Sequence, residues 1–397
     1  MPDAVDGLYL VRFVSVVPTK RPSTSTPGLI GPLHVLCSYP SNLSAKIEQM
    51  YRYIDLASPR AWRTVTVVLC FLIAAATLFK LQRHFSITGH AHPSSFHRAD
   101  PVDWSRFAYT QYATNTAYLC NSVMLFETLH RLDSKPDRLM MYPDSFSVDA
   151  QGPSRESRLL RKARDEYGVK LVPIKVQSRV SGDVTWAESY TKLLAFNQTQ
   201  YERVLSLDSD ATILQSMDEL FLLPPCPIAL PRAYWLNPED HTLSSQLMLI
   251  EPSAFEFSRI MVAISSAGPS DYDMEIINNL YKHSALILPH RPYTLLTGDF
   301  RAKSHAAYLG NELEVWDMDN VLKKAKYLHF SDWPVPKPWL AGSASTSAVV
   351  QEQQPTCVFN EATGQNDDCR ARDLWLGFYA DFAARRKDVC GSDLSVA

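Results

Sequence analysis

The sequence contains no CxxC pair and no excess of either charge, and both absences exclude classes of protein. Seven cysteines occur in 397 residues, the closest being Cys357 and Cys369, so neither a zinc array nor a dense disulfide framework is indicated. Lys and Arg number 39 against 42 Asp and Glu, which argues against nucleic acid as a partner. Cys357, Cys369 and Cys390 lie near the C-terminus, where an oxidising compartment allows two of the three to pair, in a combination the sequence leaves open.

The chain also lacks an apolar run of the roughly 20 residues that a bilayer requires. The uncharged run "TVTVVLCFLIAAATLF" covers residues 64–79 and has basic residues on both sides, whose long side chains extend its reach. It begins about 60 residues into the chain, which disfavours a cleaved signal peptide. We therefore predict a transmembrane signal anchor over residues 61–81, with a buried core helix as the alternative.

An anchor at this position divides the chain into parts of different composition. The flanking basic residues orient it only weakly. Because the catalytic-looking sequence and a glycosylation acceptor pattern both follow it, we place the C-terminal part in the lumen and predict a single-pass type II protein. Asn197-Gln198-Thr199 is a glycosylation acceptor pattern in that part, and Asn42-Leu43-Ser44 is one on the cytosolic side. The predicted parts are a mostly disordered cytoplasmic tail (1–60), the anchor (61–81), a polar stem (82–103), the main domain (104–340), and a loop with a helical tail (341–397).

Apolar runs and helical patterns alternate from about Arg106 onward. Strand and helix patterns alternate, beginning and ending with a strand, in the order "FAYTQYA", "YLCNSVMLFETLHRL", "RLMMYP", "RESRLLRKARDEY", "VKLVPIKV", "WAESYTKLLAFN" and "RVLSLD". Such alternation predicts an α/β fold whose largely parallel sheet is covered on both faces. The second half is less regular: strands "PIALPRA", "SSQLMLIE" and "ALILPH", a helix "MEIINNLYK", a mobile loop at 341–354, and an amphipathic helix "RDLWLGFYADFAARRK".

Asp208 and Asp210 stand at the end of the apolar strand "RVLSL". Ligands of open α/β sheets bind beyond the carboxyl ends of the strands. Two carboxylates at such an end repel each other, and a hard divalent cation shared with substrate phosphates compensates their charge. The alternative is a solvated turn before the next helix, since "SMDELF" follows.

His329, in "YLHFSDWPVPKPW", is the best candidate for a third ligand. A histidine on a short apolar run is equally compatible with a core position. Lys337 follows it closely, and a lysine ammonium pairs well with a phosphate group beside a metal. Two carboxylates, one imidazole and a lysine therefore predict a site for a metal and a diphosphate.

The stretch Thr191 to Phe221, "TKLLAFNQTQYERVLSLDSDATILQSMDELF", resembles the core of glycosyltransferase family 8, the glycogenin-like retaining sugar transferases. Other segments resemble that family's motifs in the same order, over roughly residues 106–340: "YATNTAY" the nucleotide loop, "SSQLMLIEPS" the Asn-Ser-Gly strand, "DMEIIN" the Asp-Gln motif, and "HFSDWPVPKPW" the His-Gly-Lys-Pro-Trp motif. With the anchor, "YTLLTGDFR" and the C-terminal tail, the chain is most similar to the fungal Golgi N-acetylglucosaminyltransferases that decorate mannose chains.

The resemblance implies a nucleotide-diphospho-sugar transferase (GT-A, Rossmann-like) domain and a set of roles. It implies that Asp208, Asp210 and His329 bind Mn²⁺ and that Asp273 lies at the sugar, close to the reacting carbon. Asp271 is two residues from Asp273, and the sequence leaves open which of the two points inward. The remaining residues implied to contact the UDP-sugar are Tyr112, Thr114, Asn115, Tyr118, Lys192, Asp208, Ser209, Ser245 and Lys337.

Three features depart from the family pattern and affect what can be inferred. Met274 replaces the glutamine after the aspartate, Ser244 and Gln246 replace Asn and Gly in the middle motif, and the spacing from His329 to Lys337 is longer by two. These changes concern the sugar and the acceptor more than the metal. The sequence therefore predicts a retaining, Mn²⁺-dependent enzyme of the Golgi membrane that transfers a sugar, N-acetylglucosamine as the first choice, from UDP onto a mannose-containing glycan. The alternatives are UDP-glucose or UDP-galactose as donor, or an inactive transferase-like scaffold.

Overall fold

The computed structural model describes residues 101–149, 154–178, 188–340 and 344–391, together with positions 73 and 77. The chain divides into two compact units, residues 1–99 and 100–397, and the elements below all belong to the second. The predicted tail, anchor and stem lie almost entirely outside the described residues. Within the described part, no helix combines the length and the apolar character needed to cross a membrane.

A seven-stranded mixed sheet forms the centre of the second unit. The spatial order is β3-β2-β1-β4-β7-β6-β8. Neighbouring strands run parallel from β3 to β4 and again between β6 and β8, whereas β7 is antiparallel to both β4 and β6. The predicted mixed, mainly parallel α/β sheet is thus confirmed. The strands are β1 (Phe107–Tyr112), β2 (Asp137–Pro143), β3 (Val169–Ile174), β4 (Arg203–Leu207), β6 (Ile228–Pro231), β7 (Leu247–Ile250) and β8 (Leu286–Leu288).

Both faces of the central strands β4, β6 and β7 are buried, which explains why these strands are apolar at nearly every position. Successive residues of β4 alternate between two hydrophobic clusters: Val204 packs on one side, and Leu205 and Leu207 on the other. A side-chain period of two makes this division unavoidable in a strand covered on both faces. The helices of this unit are α1 (Thr116–Arg131), α2 (Arg155–Tyr167), α3 (Ala254–Ser265), α4 (Asp273–Tyr281), α5 (His290–Tyr293), α6 (Ala306–Leu309), α7 (Met318–Lys324), α8 (Ala344–Gln353) and α9 (Arg370–Cys390).

A small second sheet lies next to the aspartate pair. Its order is β5-β10-β9, with β5 (Ala211–Ile213), β9 (Leu295–Leu296) and β10 (Tyr327–His329). β10 runs antiparallel to β5 and parallel to β9. Because β5 begins directly after Asp210, its pairing with β10 brings a segment more than 100 residues away beside the aspartates.

Helix α9 ties the C-terminal tail to the rest of the unit. A disulfide joins Cys390, at its end, to Cys120 in α1, and a second disulfide joins Cys357 to Cys369 across the hairpin formed by β11 (Val358–Asn360) and β12 (Gln365–Asp368). Two of the three C-terminal cysteines therefore pair with each other, as the sequence allowed. The third pairs with a cysteine 270 residues earlier, a partner that the sequence did not indicate.

Two segments differ from the expected secondary structure. Residues 189–197, predicted as part of an α-helix, form a 3-10 helix. Their side chains are buried almost throughout, so tertiary packing rather than helix propensity decides their form. Residues 344–353, expected within a mobile loop, form helix α8.

Candidate active site

The site is built where β4 ends and the small sheet begins. The strand pairing that sets Ala211 opposite His329 also brings the backbone N–H of Phe330 to the carbonyl of Asp210, at 2.9 Å. The backbone N–H of Asp208 donates to the carbonyl of Gln246, at the start of β7, at 2.9 Å. Main-chain hydrogen bonds thus fix the three segments that carry the aspartates and the histidine.

Asp208, Asp210 and His329 each direct one ligand atom toward a common point. Those atoms all lie within 4.8 Å of one another. The His329 Nε2 is 3.1 Å from Asp210 Oδ1 and 4.0 Å from Asp208 Oδ2. These side chains are 13% to 16% exposed, so the cluster is largely shielded from solvent but still accessible to it.

A buried ion-pair network adjoins this cluster. The Lys192 ammonium lies 2.7 Å from Asp208 Oδ1 and 2.8 Å from Asp273 Oδ2. Ser245 donates its hydroxyl to Asp273 Oδ2 at 2.6 Å. Asp271, which the sequence left as an alternative to Asp273, instead accepts from the backbone N–H of Gly268 at 2.7 Å. Asp273 therefore faces the site, whereas Asp271 stabilises a local turn.

Burial and neighbouring charges oppose each other at these carboxylates. Burial works to raise the pKa of Asp273, but Lys192 and the hydroxyl of Ser245 outweigh it, and the pKa lies below its usual value. Burial likewise opposes ionisation of Asp210, whose pKa is nevertheless held well below the usual value by His329 and Lys337. For Lys192, the two carboxylates overcome the effect of burial and raise the pKa of its ammonium. Lys192, Asp210 and Asp273 are therefore charged at neutral pH.

Lys337 closes the site on the side of the loop after β10. Its ammonium lies 2.5 Å from Asp210 Oδ2 and donates to the carbonyl of Phe330 at 2.7 Å. The two-residue lengthening between His329 and Lys337 does not remove the lysine from the cluster. The predicted set of two carboxylates, one histidine and one lysine is thus assembled in one place.

The residues of the predicted nucleotide loop, 112–118, differ in how closely they approach the site. The Tyr112 hydroxyl is 3.4 Å from Asp208 Oδ1, and the Tyr118 ring packs edge-on against Trp339 at 5.2 Å between centroids. The Asn115 side chain caps α1 by accepting from the N–H groups of residues 117 and 118, so its oxygen is already engaged. Thr114 is half-buried in the same turn, and Ser209 is buried between the two aspartates.

Two residues near the site, Tyr327 and Asp332, were not predicted from the sequence. The Tyr327 hydroxyl donates to the carbonyl of Asp208 at 2.8 Å. A signal existed, because Tyr327 and His329 are two apart on one strand and so share a face. Asp332 has a fully buried side chain that accepts from the Trp375 indole at 3.0 Å and the Tyr379 hydroxyl at 2.9 Å. Its partners in α9 are too distant in sequence to be inferred from spacing.

The donor set fits a divalent cation. Ligand atoms around an octahedral ion with bonds near 2.1 Å stand roughly 3 to 4 Å apart, which matches the distances from His329 Nε2 to the two carboxylates. Carboxylate oxygens and an imidazole suit Mn²⁺ among the hard and intermediate divalent ions. The Nδ1 of His329 is buried without a hydrogen-bond partner among the described residues, so Nε2 is the nitrogen that faces the cluster.

Asp299, a partly buried carboxyl group outside this cluster, lies in the short 3-10 helix that follows β9. Burial raises its pKa to about 6, although the Tyr234 hydroxyl and the Leu296 N–H both donate to it. Its folded-state pKa exceeds the unfolded value, so the stability it contributes is complete below about pH 4 and is lost as the pH rises through 6.

Replacing Asp299 with asparagine is therefore expected to flatten the pH dependence of stability. Between pH 4 and pH 7 the variant gains up to about 3 kcal/mol relative to the wild type, because asparagine does not ionise. Thermal unfolding of both proteins across this range measures the difference. Asp381→Asn, at an exposed position of α9, is the control and leaves the profile unchanged; equal slopes for wild type and Asp299→Asn contradict the prediction.

An α/β sheet whose central strand ends in Asp-X-Asp, joined by a histidine and two lysines, fits the class of the glycosyltransferases. Comparison with known proteins agrees with this class. The chain is 58% identical over 296 residues to glucose N-acetyltransferase 1 of Gibberella zeae, a match covering 73% of this chain and 64% of the relative. It is 49% identical over 303 residues to glucose N-acetyltransferase 1 of Aspergillus fumigatus, covering 73% of this chain and 78% of the relative. The chain belongs to the glucose N-acetyltransferase 1 family.

Family models and solved structures give no further information on function. No protein-family model matches the chain. The structure of the galactosyltransferase LgtC in complex with donor and acceptor sugar analogues aligns with 69% of this chain and 95% of its own, at 13% identity and a TM-score of 0.42. A score at that level supports no functional inference.

Proposed function

We propose that this protein is a retaining glycosyltransferase that moves N-acetylglucosamine from UDP onto a mannose-containing glycan, with an α-linkage. The observation that carries the proposal is the convergence of Asp208, Asp210 and His329, whose ligand atoms lie within 4.8 Å of one another beside Lys192 and Asp273. The relatives' name mentions glucose and an acetyl group but no UDP-sugar, so the choice of UDP-N-acetylglucosamine over UDP-glucose and UDP-galactose rests on the resemblance of the sequence to Golgi N-acetylglucosaminyltransferases.

Charge neutralisation is the main contribution that these residues make to the reaction. Asp208, Asp210 and His329 would hold a divalent ion, which would supply positive charge beside the UDP leaving group. Lys337, at the mouth of the cluster, is the protein cation positioned to pair with a phosphate oxygen. These groups are fixed before the substrate arrives, so little reorganisation is required as charge develops.

Asp273 is the group we place at the reacting carbon. Lys192 and Ser245 hold its carboxylate in one orientation and keep it ionised. An ionised carboxylate at that position stabilises the positive charge that develops on the sugar as the bond to UDP breaks. Lys192 bridges Asp273 to Asp208 and thereby links the position of the sugar to that of the metal.

Release of UDP tests the proposal. The full chain is incubated with Mn²⁺ and a panel of UDP-sugars, with and without mannose oligosaccharides, and UDP is measured. We expect release from UDP-N-acetylglucosamine that is stimulated by the acceptor and abolished by a chelator. Release from none of the donors, at the level of Asp208→Ala, contradicts the enzymatic function. Equal UDP affinity with and without Mn²⁺ contradicts the metal site.

We further propose that the domain is lumenal, in the Golgi, behind the anchor predicted at residues 61–81. Asn197, the first residue of a glycosylation pattern, is exposed at the end of the 3-10 helix and is therefore accessible to a glycan. A mobility shift on endoglycosidase treatment that disappears in Asn197→Gln supports this location. A chain that resists alkaline extraction from membranes equally with and without residues 61–81 contradicts the anchor.

A further inference from the structure

One tryptophan of the site loop is almost entirely exposed. Trp333 lies between His329 and Lys337 and is 92% exposed, although tryptophan is among the most buried residue types on average. It is the most exposed tryptophan among the described residues; Trp235 is 39% exposed. An indole that stands in water beside a catalytic cluster has no packing role in the fold.

The loop around Trp333 is held firmly, so its exposure does not reflect a loose segment. Asp332, its neighbour, is fully buried and accepts from Trp375, Tyr379 and Thr297. The N–H of Val335 donates to the carbonyl of Asp332 at 2.8 Å. Both sides of Trp333 are therefore fixed, and the indole is presented outward by a rigid support.

Close packing beneath the loop adds to this rigidity. The backbone N–H of Ser331 donates to the Thr297 hydroxyl at 3.1 Å. A Cβ added at Gly298 would lie 2.7 Å from the carbonyl oxygen of Ser331, so only glycine allows this approach. Phe330, on the same loop, packs against Tyr379 and Phe382 of α9.

We propose that the indole of Trp333 is a platform on which a pyranose ring of the acceptor saccharide stacks, an inference that rests on the proposed glycosyl transfer. The charged groups of the site match a charged donor, whereas an oligosaccharide acceptor is neutral and presents C–H groups on one face of its rings. Those C–H groups carry partial positive charge and pack well on the negative face of an aromatic ring. His329 and Lys337, four residues before and after Trp333, both contact Asp210, so the loop that carries the indole begins and ends at the reacting centre.

The test separates binding of the acceptor from binding of the donor. Trp333→Ala is expected to raise the acceptor KM roughly tenfold, the effect of losing one stacking contact. Affinity for UDP and UDP release in the absence of acceptor stay within twofold of the wild type. Trp333→Phe, which keeps an aromatic ring, restores most of the acceptor affinity, and Phe359→Ala, at an exposed aromatic of the β11–β12 hairpin, is the control and changes none of these values.

A fluorescence titration tests the platform independently of activity. Wild type and Trp333→Phe are titrated with linear manno-, gluco- and galacto-oligosaccharides, and the difference between their emission spectra isolates Trp333. A saturable change with at least one oligosaccharide supports the proposal. No change with any of them, an unchanged acceptor KM in Trp333→Ala, or a fall in UDP affinity equal to the fall in acceptor affinity overturns it. Failure of the wild type to release UDP from any donor contradicts the proposed function but leaves this titration as a test of the platform.

Discussion

Replacing Asp210 with asparagine is expected to lower acceptor-stimulated UDP release by about a hundred- to a thousandfold. Its carboxylate contacts both His329, at 3.1 Å, and Lys337, at 2.5 Å. Asparagine retains the shape and one hydrogen-bonding oxygen but removes the negative charge that a divalent cation requires. Mn²⁺ titration of UDP release measures the change, and we expect the concentration for half-maximal activity to rise as the maximal rate falls.

The control for Asp210→Asn is a carboxylate that is paired at the surface. Asp319 is 66% exposed and pairs with Arg370 of α9. Asp319→Asn is expected to change UDP release less than twofold. Thermal unfolding of all three proteins shows whether the folded state is retained. Near wild-type release by a folded Asp210→Asn, at any Mn²⁺ concentration, would contradict the metal site.

Replacing Lys192 with methionine is expected to destabilise the folded chain by about 3–5 kcal/mol. The Lys192 side chain is 5% exposed and lies between Asp208, which is 16% exposed, and the buried Asp273. Methionine fills a similar volume but leaves two carboxylates without their cation, and an unpaired buried charge is costly. Denaturant unfolding of the full chain gives the change in free energy, and UDP release falls in parallel because the two aspartates are no longer held together.

A surface lysine provides the matched comparison for Lys192→Met. Lys326 pairs with Glu219, which is 46% exposed. Lys326→Met is expected to cost less than about 1 kcal/mol, because Glu219 stays in contact with water and Lys326 is itself 24% exposed. Equal losses for the two substitutions would show that the Lys192 network contributes nothing beyond an ordinary ion pair. A stability gain in Lys192→Met on addition of Mn²⁺ would indicate that the ion substitutes for the lost ammonium.

The central sheet and its active end were predictable from local patterns. Buried strands of a doubly covered sheet are apolar at successive positions, so "RVLSL" and its neighbours could be recognised as strands without knowing their partners. Asp208 and Asp210 could be assigned to the carboxyl edge because two charges end an apolar run there. His329 and Lys337 were proposed from the need for a third ligand and a phosphate partner, and the family resemblance then implied the same two residues.

Other parts of the site depend on contacts that no short pattern contains. Asp271 and Asp273 are equivalent by spacing, and only the position of Lys192 and Ser245 distinguishes them. The 3-10 form of residues 189–197 is set by burial among neighbours distant in sequence. Cys390 pairs with Cys120 because α9 returns to lie along α1, and nothing near either cysteine indicates that return.

By itself the sequence determined the α/β class, the place of the aspartate pair and a donor set suited to a divalent cation, because these follow from side-chain periodicity and charge within a few residues. The tertiary structure decided which groups meet: Asp273 with Lys192, His329 with Asp210, and Asp332 with α9. It also decided that Trp333 stands in water on a rigid loop. These contacts depend on how strands and helices that are far apart in the chain pack together, and that packing is a property of the whole folded unit.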